Sequence, residues 1–267
     1  MVDVIVCGAA GRMGGTVVRL VQQSADVKLV GAVEFPGSPA IGRDVGEIAG
    51  VGNLGVAIGV KLGPLLKGDA VIIDFTQPKA SLGFLRAAVE RSAPMVLCTT
   101  GFDKAEAAEI EKLAPQTRVV FSANMSIGVN LLLSILGNVA KTLGDDYDVE
   151  IVETHHRFKK DAPSGTALAL GRVVAKALNR DLDSVAVSGR KGIVGERTKK
   201  EIGLLSIRSG DVVGDHTVVF GGLGERIEFT HRAHNRENFA RGALRAAQWL
   251  VNQPKGLYSM QDVLGLK

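Results

Sequence analysis

Short apolar runs alternate with helical patterns through the first half of the chain. Val2 to Cys7 is a strand-like run, and the apolar residues between Thr16 and Val21 follow it with helical spacing. Further strand-like runs cover residues 28–33, 56–60, 69–75, 94–98 and 118–121, and further helical patterns cover 78–91 and 103–113. Such alternation predicts a doubly wound, Rossmann-like parallel sheet with helices on both faces. Residues 35–55, which are rich in glycine and lack periodicity, are interpreted as a long loop.

The second half of the chain has a different pattern. A long apolar helix is expected from Ser126 to Leu143, then a strand over 148–153 and a helix from Ser164 to Leu178. Three strand-like runs follow with only short turns between them, at 202–209, 216–220 and 226–231. They predict a mixed or antiparallel sheet, and hence an α+β segment. A last helix over about 235–251 and a terminal strand or turn over 257–264 complete the chain.

Composition narrows the class of protein only modestly. The 267 residues are 46% hydrophobic and 22% charged, and the net charge of +4 is too small to indicate a nucleic-acid partner. Cys7 and Cys98 lack a CxxC partner, so neither a disulfide framework nor a metal site is expected. No apolar run of about 18 residues and no signal-peptide pattern is found. These observations predict a cytoplasmic protein with no membrane segment.

A glycine-rich turn follows the first strand. It reads Gly8-Ala9-Ala10-Gly11-Arg12-Met13-Gly14 and opens a helix. Glycines let the backbone approach a pyrophosphate, and the helix N-terminus presents bare N–H groups to it. Glu34 ends the second strand twenty residues after Gly14, where an acidic residue accepts hydrogen bonds from the adenosine ribose. The turn therefore predicts a dinucleotide site, although its G-x-x-G-x-x-G spacing differs from the usual motif and an ordinary strand–turn–helix connection is the alternative.

Polar residues and glycine recur where the predicted parallel strands end. Gly8, Glu34, Thr76, Thr100 and Asn124 all follow strand-like runs. Each alone is explained as a loop residue or a helix cap. Because ligands bind beyond the carboxyl ends of parallel strands, a shared pocket is the better interpretation of all five.

The densest chemistry lies in the stretch ETHHRFKKDAPSGTA, residues 153–167. It carries up to five positive charges, at His155, His156, Arg157, Lys159 and Lys160. Asp161 is the only nearby counter-charge expected, and Ser164, Gly165 and Thr166 stand at a predicted helix N-terminus, which can hold an anion. The stretch predicts a pocket for a small, multiply anionic molecule, with a histidine and a lysine placed to move protons. A solvated basic turn before a capped helix is the alternative.

These motifs together resemble the 4-hydroxy-tetrahydrodipicolinate reductase family, which acts in the diaminopimelate route of lysine biosynthesis. The resemblance rests on GAAGRMG, TTGF, SANMSIGVN and above all HHRFKKDAPSGTA, and continues through IRSGDVVGDHTVVF and ERIEFTHRA. The family's fold implies a discontinuous dinucleotide-binding domain, here residues 1–126 and 236–267. The insert, residues 127–235, would carry the substrate pocket and an oligomerisation sheet, usually of a homotetramer.

The resemblance also implies residue roles. His155 matches the family's proton donor and acceptor, Lys159 its proton donor, and His156 a substrate contact, while Gly165 and Thr166, after Ser164, match its substrate-carboxylate site. Nicotinamide-nucleotide contacts fall on Gly8, Ala9, Ala10, Gly11, Arg12, Met13, Glu34, Cys98, Thr99, Thr100, Ser122, Ala123, Asn124 and Met125.

Two positions depart from the common family pattern. Cys98 stands where many members have glycine, and Phe35 stands where many have arginine after the acidic residue. Glu34 would repel a 2′-phosphate, and Phe35 supplies no cation to offset it. We therefore expect NADH to be used at least as well as NADPH, with Arg12 or Arg43 as the residues that would reverse this preference.

The expected reaction is hydride transfer, after loss of water, to a cyclic conjugated imine dicarboxylate, followed by protonation of the resulting enamine carbon by His155 with help from Lys159. Two other classes stay open. A non-catalytic nicotinamide-sensing regulator would use the basic stretch to bind a partner or nucleic acid, against which stand the low aromatic content of 4% and the lack of a DNA-reading helix. An aldehyde-acting dehydrogenase would need Cys98 as a nucleophile.

Overall fold

The structure, a computed structural model, describes residues 1–266. Its strands are β1 (Val2–Cys7), β2 (Val27–Val33), β3 (Ile58–Gly59), β4 (Val71–Asp74), β5 (Met95–Leu97), β6 (Arg118–Phe121), β7 (Asp148–His155), β8 (Ala186–Val187), β9 (Ile202–Arg208), β10 (Gly214–Gly221), β11 (Arg226–Ala233) and β12 (Gly256–Tyr258). Its helices are α1 (Arg12–Gln22), α2 (Val45–Ala49), α3 (Pro78–Glu90), α4 (Lys104–Leu113), α5 (Ile127–Leu143), α6 (Gly165–Ala177), α7 (Leu182–Val185), α8 (Glu237–Leu250) and α9 (Met260–Val263). The chain divides into two compact units. One is Met1–Ile127 together with the segment from Arg236 onward, and the other is Gly128–Asn235.

The first unit is built on a parallel sheet in the order β12-β6-β5-β4-β1-β2-β3. Alternate residues of β1 enter different cores: Val4 and Val6 pack with residues of α1 and α8, whereas Ile5 and Cys7 pack with residues of α3 and α4. Both sheet faces are therefore covered by helices, as in a doubly wound fold. This confirms the predicted parallel sheet, and it places the carboxyl ends of β1, β2, β4, β5 and β6 along one edge.

The second unit is built on a mixed sheet in the order β11-β10-β7-β9-β8. The central strand β7 runs parallel to β9 and antiparallel to β10. Its odd-numbered residues Val149 and Ile151 enter a core with Leu136 of α5 and Leu170 of α6. One face of the sheet is thus covered by these helices, and the α+β character predicted for this region is confirmed.

The sequence prediction missed several short elements, among them the helix α2. The stretch interpreted as a loop over residues 35–55 contains the short helix α2, and Asp44 caps it by accepting hydrogen bonds from Gly46 and Glu47. The same carboxylate accepts from Leu54 N–H at 3.0 Å and Val56 N–H at 2.9 Å. A five-residue helix is too short to show periodicity, so a side-chain cap rather than an apolar pattern defines it.

Among the described residues, one helical segment, Ile127–Asp146, is long enough and apolar enough to cross a membrane, judged by length and composition alone. Of its most apolar window, 22% is buried within the protein. Leu132, Leu136 and Ala140, spaced by four residues, pack into the core of the second unit. This spacing is that of an amphipathic helix docked on a sheet.

Candidate active site

The glycine turn folds tightly between β1 and α1. Gly8 has a positive φ of 72°. A Cβ on Gly14 would lie 2.1 Å from the carbonyl oxygen of Gly8, so the helix approaches the turn more closely than any side chain allows. Gly11, the N-cap of α1, supplies no side-chain cap to the first-turn N–H groups. The start of α1 therefore has the form of an anion-binding helix end.

Glu34 lies against this turn. Its Oε2 atom accepts a hydrogen bond of 2.9 Å from the N–H of Ala10, and Oε1 accepts one of 3.2 Å from Phe35. The contact brings an acidic side chain beside the glycine turn, at the place expected for a ribose-binding residue. A carboxylate there also opposes any additional negative charge on the ribose.

A cleft of about 740 Å³ opens at this edge of the first unit. It is lined by Gly8, Gly11, Glu34, Phe35, Phe75, Thr76, Gln77, Lys79, Ala80 and Phe84. Three of the five residues predicted to share a pocket, Gly8, Glu34 and Thr76, thus meet here, and Thr100 and Asn124 follow the next two strands along the same edge. Lys79, which the sequence prediction did not single out, adds a cation to the cleft that contains Glu34.

Several side chains predicted to contact a cofactor have other surroundings. Ala9 and Met125 are buried in the apolar core, and Met13 packs against it. Arg12, Ala10, Thr100 and Ala123 are exposed. Ser122 donates to the carbonyl of Asn124 at 2.9 Å, and the Asn124 side chain accepts from Ser126 N–H at 2.8 Å. For the buried positions, only the backbone is placed to serve a ligand at this edge.

Asp74, at the end of β4, is fully buried under the cleft. It accepts hydrogen bonds from the N–H of Thr76 at 3.0 Å and from its hydroxyl at 2.6 Å, and Thr99 donates to it at 3.5 Å. Burial raises the pKa of Asp74, against these hydrogen bonds, which lower it. The network fixes Thr76 in the cleft wall.

Cys98 is a buried thiol. Its side chain is buried and donates to the carbonyl of Val96 at 3.7 Å. Burial, and after it the charge of Asp74, raises the pKa of Cys98 well above that of an ordinary thiol. Because the thiolate is the nucleophile, this environment argues against an aldehyde-acting dehydrogenase that uses Cys98.

The second unit assembles its polar cluster through sheet register. Glu153 and His155 are two residues apart on β7 and therefore share a face. Glu153 lies opposite His216 of β10, and His155 lies opposite Arg208 of β9. The register thus brings together four ionisable side chains from three strands at the end of the helix-covered face.

Glu153 is the centre of this cluster. It is fully buried, and its Oε2 atom lies 2.5 Å from Nδ1 of His155. Arg208 donates to both carboxylate oxygens at 2.9 Å, and the backbone N–H of Ser164 donates to Oε1 at 3.1 Å. A buried charge with this many donors is stable in its ionised form.

The environment separates the proton affinities of these groups. Burial opposes ionisation of Glu153, yet its hydrogen bonds with Arg208 and His155 lower its pKa to about 2. Burial lowers the pKa of His155, and Lys159 and Arg208 lower it further, against the opposing effect of Glu153. Burial and the neighbouring His155 lower the pKa of His216 to about 4. At neutral pH the cluster therefore holds an ionised carboxylate beside neutral imidazoles.

Lys159 of the basic stretch lies next to this cluster, close enough to lower the pKa of His155. Lys159 donates to both oxygens of Asp161 at 2.9 Å, and this bond lowers the pKa of Asp161. The prediction that Asp161 is the only counter-charge is therefore wrong, because the buried Glu153 is a second one. His156 is half-buried, and its Nδ1 atom has no hydrogen-bond partner within the part of the chain that the structure describes.

Ser164 begins α6 as predicted. Its hydroxyl caps the helix by accepting from Ala167 N–H at 3.1 Å, and it also lies 2.9 Å from Nε2 of His216. The outward N–H groups of the first turn belong to Gly165 and Thr166. A capped helix start thus lies directly beside His155, and the combination suits an anionic substrate that must also be protonated.

Arg208 and His216 were missed as site residues, and so was the organising role of Glu153. A signal for Glu153 exists in the sequence, since a carboxylate two residues before a histidine in a strand shares its face. Arg208 and His216 give no such local signal, because their positions depend on strand register. Among residues 1–266, no group of His, Cys, Asp and Glu side chains is placed to hold a metal ion.

Comparison with known proteins identifies the family. Residues 2–125 match the family described as "Dihydrodipicolinate reductase, N-terminus", and residues 128–264 match "Dihydrodipicolinate reductase, C-terminus". The chain belongs to the dihydrodipicolinate reductase family. Curated relatives named 4-hydroxy-tetrahydrodipicolinate reductase include those of Syntrophus aciditrophicus, 52% identical, and Geobacter metallireducens, 54% identical, each aligned over 267 residues and the whole of both chains.

Solved structures agree with the fold of a dihydrodipicolinate reductase. The dipicolinate-bound dihydrodipicolinate reductase of Paenisporosarcina sp. TG-14 superposes with a TM-score of 0.74 at 23% identity, over 98% of each chain. An amine dehydrogenase of Mycobacterium smegmatis gives a TM-score of 0.57 at 15% identity, over 97% of this chain and 95% of that one. At these identities the likeness concerns architecture, a Rossmann-type unit with a mixed-sheet unit.

Proposed function

We propose that this chain is a nicotinamide-nucleotide-dependent 4-hydroxy-tetrahydrodipicolinate reductase of the diaminopimelate route to lysine. Membership of the dihydrodipicolinate reductase family over the full length supports the reaction class. The observation that carries the chemistry is His155, hydrogen-bonded to buried Glu153 beside the N-terminus of α6. An unliganded basic turn or a non-catalytic regulator has no need of a buried carboxylate under its histidine.

Residues 1–126 and 236–267, which fall within the first unit, are the proposed dinucleotide-binding domain. The uncapped start of α1 and Glu34 would hold the pyrophosphate and the ribose, and the cleft volume of about 740 Å³ suits part of such a ligand. A reduced nicotinamide supplies the hydride when it is bound. NADH is the proposed preferred donor, although Lys79 in the same cleft is a cation able to offset a 2′-phosphate.

The insert, residues 127–235, is the proposed substrate domain. Gly165 and Thr166 would hold one substrate carboxylate at the start of α6, and His156 and Lys159 would contact the remaining charge. Loss of water from the 4-hydroxy substrate gives a conjugated imine, and hydride addition to that imine leaves an enamine carbon that must take up a proton. His155 would deliver it, because a bound dicarboxylate adds negative charge that raises the pKa of the imidazole.

Assembly and location are also proposals. Ile207 on β9 is an exposed apolar side chain on the face of the mixed sheet that α5 and α6 do not cover, because it pairs with Thr154. Exposed apolar residues on a sheet support a further contact between subunits, and we propose a homotetramer. The cytoplasmic location and the absence of a nucleic-acid or membrane partner remain predictions from composition.

The test is reductase turnover of the wild-type protein and of His155→Gln. Oxidation of NADH should depend on the 4-hydroxy-tetrahydrodipicolinate heterocycle. In His155→Gln, kcat should fall by about 10²- to 10⁴-fold with a smaller change in KM, as expected for lost proton transfer. Heterocycle-independent oxidation, or no oxidation at all, would reject the proposed function, and near-normal kcat in the variant would remove His155 from its role.

A further inference from the structure

The carboxylate of Glu153 joins two parts of the site that the chain supplies separately. Oε2 contacts Nδ1 of His155 at 2.5 Å, and Oε1 accepts from the N–H of Ser164, the N-cap of α6, at 3.1 Å. Arg208 spans both oxygens at 2.9 Å. Because each oxygen serves a different partner, any rotation of the carboxylate other than the flip that exchanges its two equivalent oxygens disturbs both contacts.

We propose that Glu153 is a positioning residue for the reductase reaction. It fixes the tautomer and the orientation of His155, and it fixes where His155 lies relative to the substrate-binding start of α6. The inference rests on the proposed function, since it concerns the same site. Glu153 itself lies beneath His155 and acts through it.

The tautomer follows from charge. An ionised carboxylate only accepts hydrogen bonds, so Nδ1 of His155 must carry the proton that it shares with Glu153. Nε2 is then the atom that gains and loses a proton during turnover. The Nε2 edge of the His155 ring is closely packed against Gly214, because a Cβ atom on Gly214 would lie 2.9 Å from Nε2.

The position of His155 is held from several elements. Glu153 holds Nδ1 from the same strand, and the ring of His216 packs edge-on with a centroid separation of 5.1 Å. His216 is in turn 2.9 Å from the Ser164 hydroxyl, which caps α6. The histidine and the helix start thus share one network of buried hydrogen bonds, and such networks keep catalytic groups within the narrow tolerance of a reaction.

The charges around His155 also require Glu153. Arg208 from β9 and Lys159 from the loop face the imidazole of His155, and both disfavour its protonated form. His216 faces the same ring from β10 and is neutral, so it adds no charge. Glu153 is the group that favours the imidazolium. Without its charge, His155 would bind a proton more weakly, and protonation of the enamine would require a lower pH.

Glu153→Gln is the decisive variant, and Glu150→Gln is its matched control. Glu150 lies on the same strand and also pairs with arginines, at 2.8 Å to Arg190 and 3.0 Å to Arg197. We expect Glu153→Gln to lower kcat about 100-fold, since small misplacements cost this much, and to leave NADH affinity within about twofold. In the pH profile of kcat, the decline on the alkaline side should begin at a lower pH, because the variant lacks the charge that stabilises the imidazolium. Glu150→Gln should leave both unchanged.

Two outcomes would overturn the inference. The first is that Glu153→Gln and Glu150→Gln have the same kcat and the same pH profile. The second is that Glu153→Gln loses kcat equally at every pH and in proportion to its loss of thermal stability. Nitrogen-15 NMR of His155 in the wild-type protein tests the same point without any variant, and a dominant Nε2–H tautomer would contradict it. If the wild-type protein has no reductase activity, the proposed function fails, whereas the NMR result still decides the tautomer.

Discussion

A methyl group at Gly214 should damage turnover through a direct contact with His155. Gly214 begins β10, and a Cβ there would lie 2.9 Å from Nε2 and 3.3 Å from Cδ2 of the ring. Real Cβ contacts below 3.0 Å essentially never occur, so something has to shift. The backbone at Gly214 is held in the ladder with Ala233, and the ring is held at Nδ1 by Glu153.

The magnitude follows from these distances. Ordinary van der Waals contact begins at 3.4 Å, so the ring or the strand must move by about 0.5 Å. A misplacement of about 1 Å costs about 10²-fold in rate. Gly214→Ala should therefore lower kcat about tenfold, equal to about 1.4 kcal/mol of transition-state stabilisation. The KM for NADH should not change, because His155 belongs to the second unit and the cofactor cleft to the first.

The assay is steady-state oxidation of NADH with the heterocyclic substrate, together with thermal unfolding of each variant. Gly221→Ala is the control, because Gly221 ends the same strand and a Cβ there meets nothing within 4 Å. Both substitutions add one methyl group to β10, so they share any effect of strand propensity. A kcat of Gly214→Ala equal to that of Gly221→Ala would refute the reasoning that the ring has no room to yield.

Three further outcomes are expected. Thr166→Val and Lys159→Ala should raise the KM for the heterocycle and leave the calorimetric Kd for NADH within a few-fold; a large loss of NADH affinity would place them at the wrong ligand. The wild-type kcat/KM should be at least as high with NADH as with NADPH because of Glu34, and a tenfold preference for NADPH would contradict this. Stability to urea should fall as pH decreases from about 6.5 to about 4, because the folded pKa of His216 is lowered to about 4 and the unfolded chain binds the proton first. His216→Gln should reduce this slope, and an unchanged slope would remove His216 as its cause.

The order of elements could be predicted because the chain's apolar runs are clear. The strand starting at Val2, the helix starting at Pro78 and the cap at Asp103 all lie where the pattern placed them. The α2 helix was missed because its signal is a capping carboxylate within a glycine-rich stretch. Periodicity thus predicts elements that bury an apolar face, and it fails where backbone hydrogen bonds to one side chain define the element.

The residues of the candidate site also divide into those that a local sequence pattern predicts and those that it does not. His155, Lys159, Ser164 and Thr166 stand close together in the sequence, so one motif was enough to find them. Arg208 lies 55 residues beyond Glu153, and His216 lies 52 residues beyond Ser164. Their convergence depends on the pairing of β7 with both β9 and β10, which no single stretch of sequence specifies.

The buried carboxylate also resolves a conflict within the basic stretch. Cations that attract a dicarboxylate also repel a proton, so a histidine placed among them binds its proton too weakly to carry it at neutral pH. Arg208 alone would worsen this effect, because it lowers the proton affinity of His155. Pairing Arg208 with Glu153 neutralises the arginine inside the protein and leaves Lys159 to act on the substrate side with its exposed partner Asp161. An anion under the histidine is therefore consistent with a site built for an anionic substrate, since it lets the same small region bind negative charge and still deliver a proton.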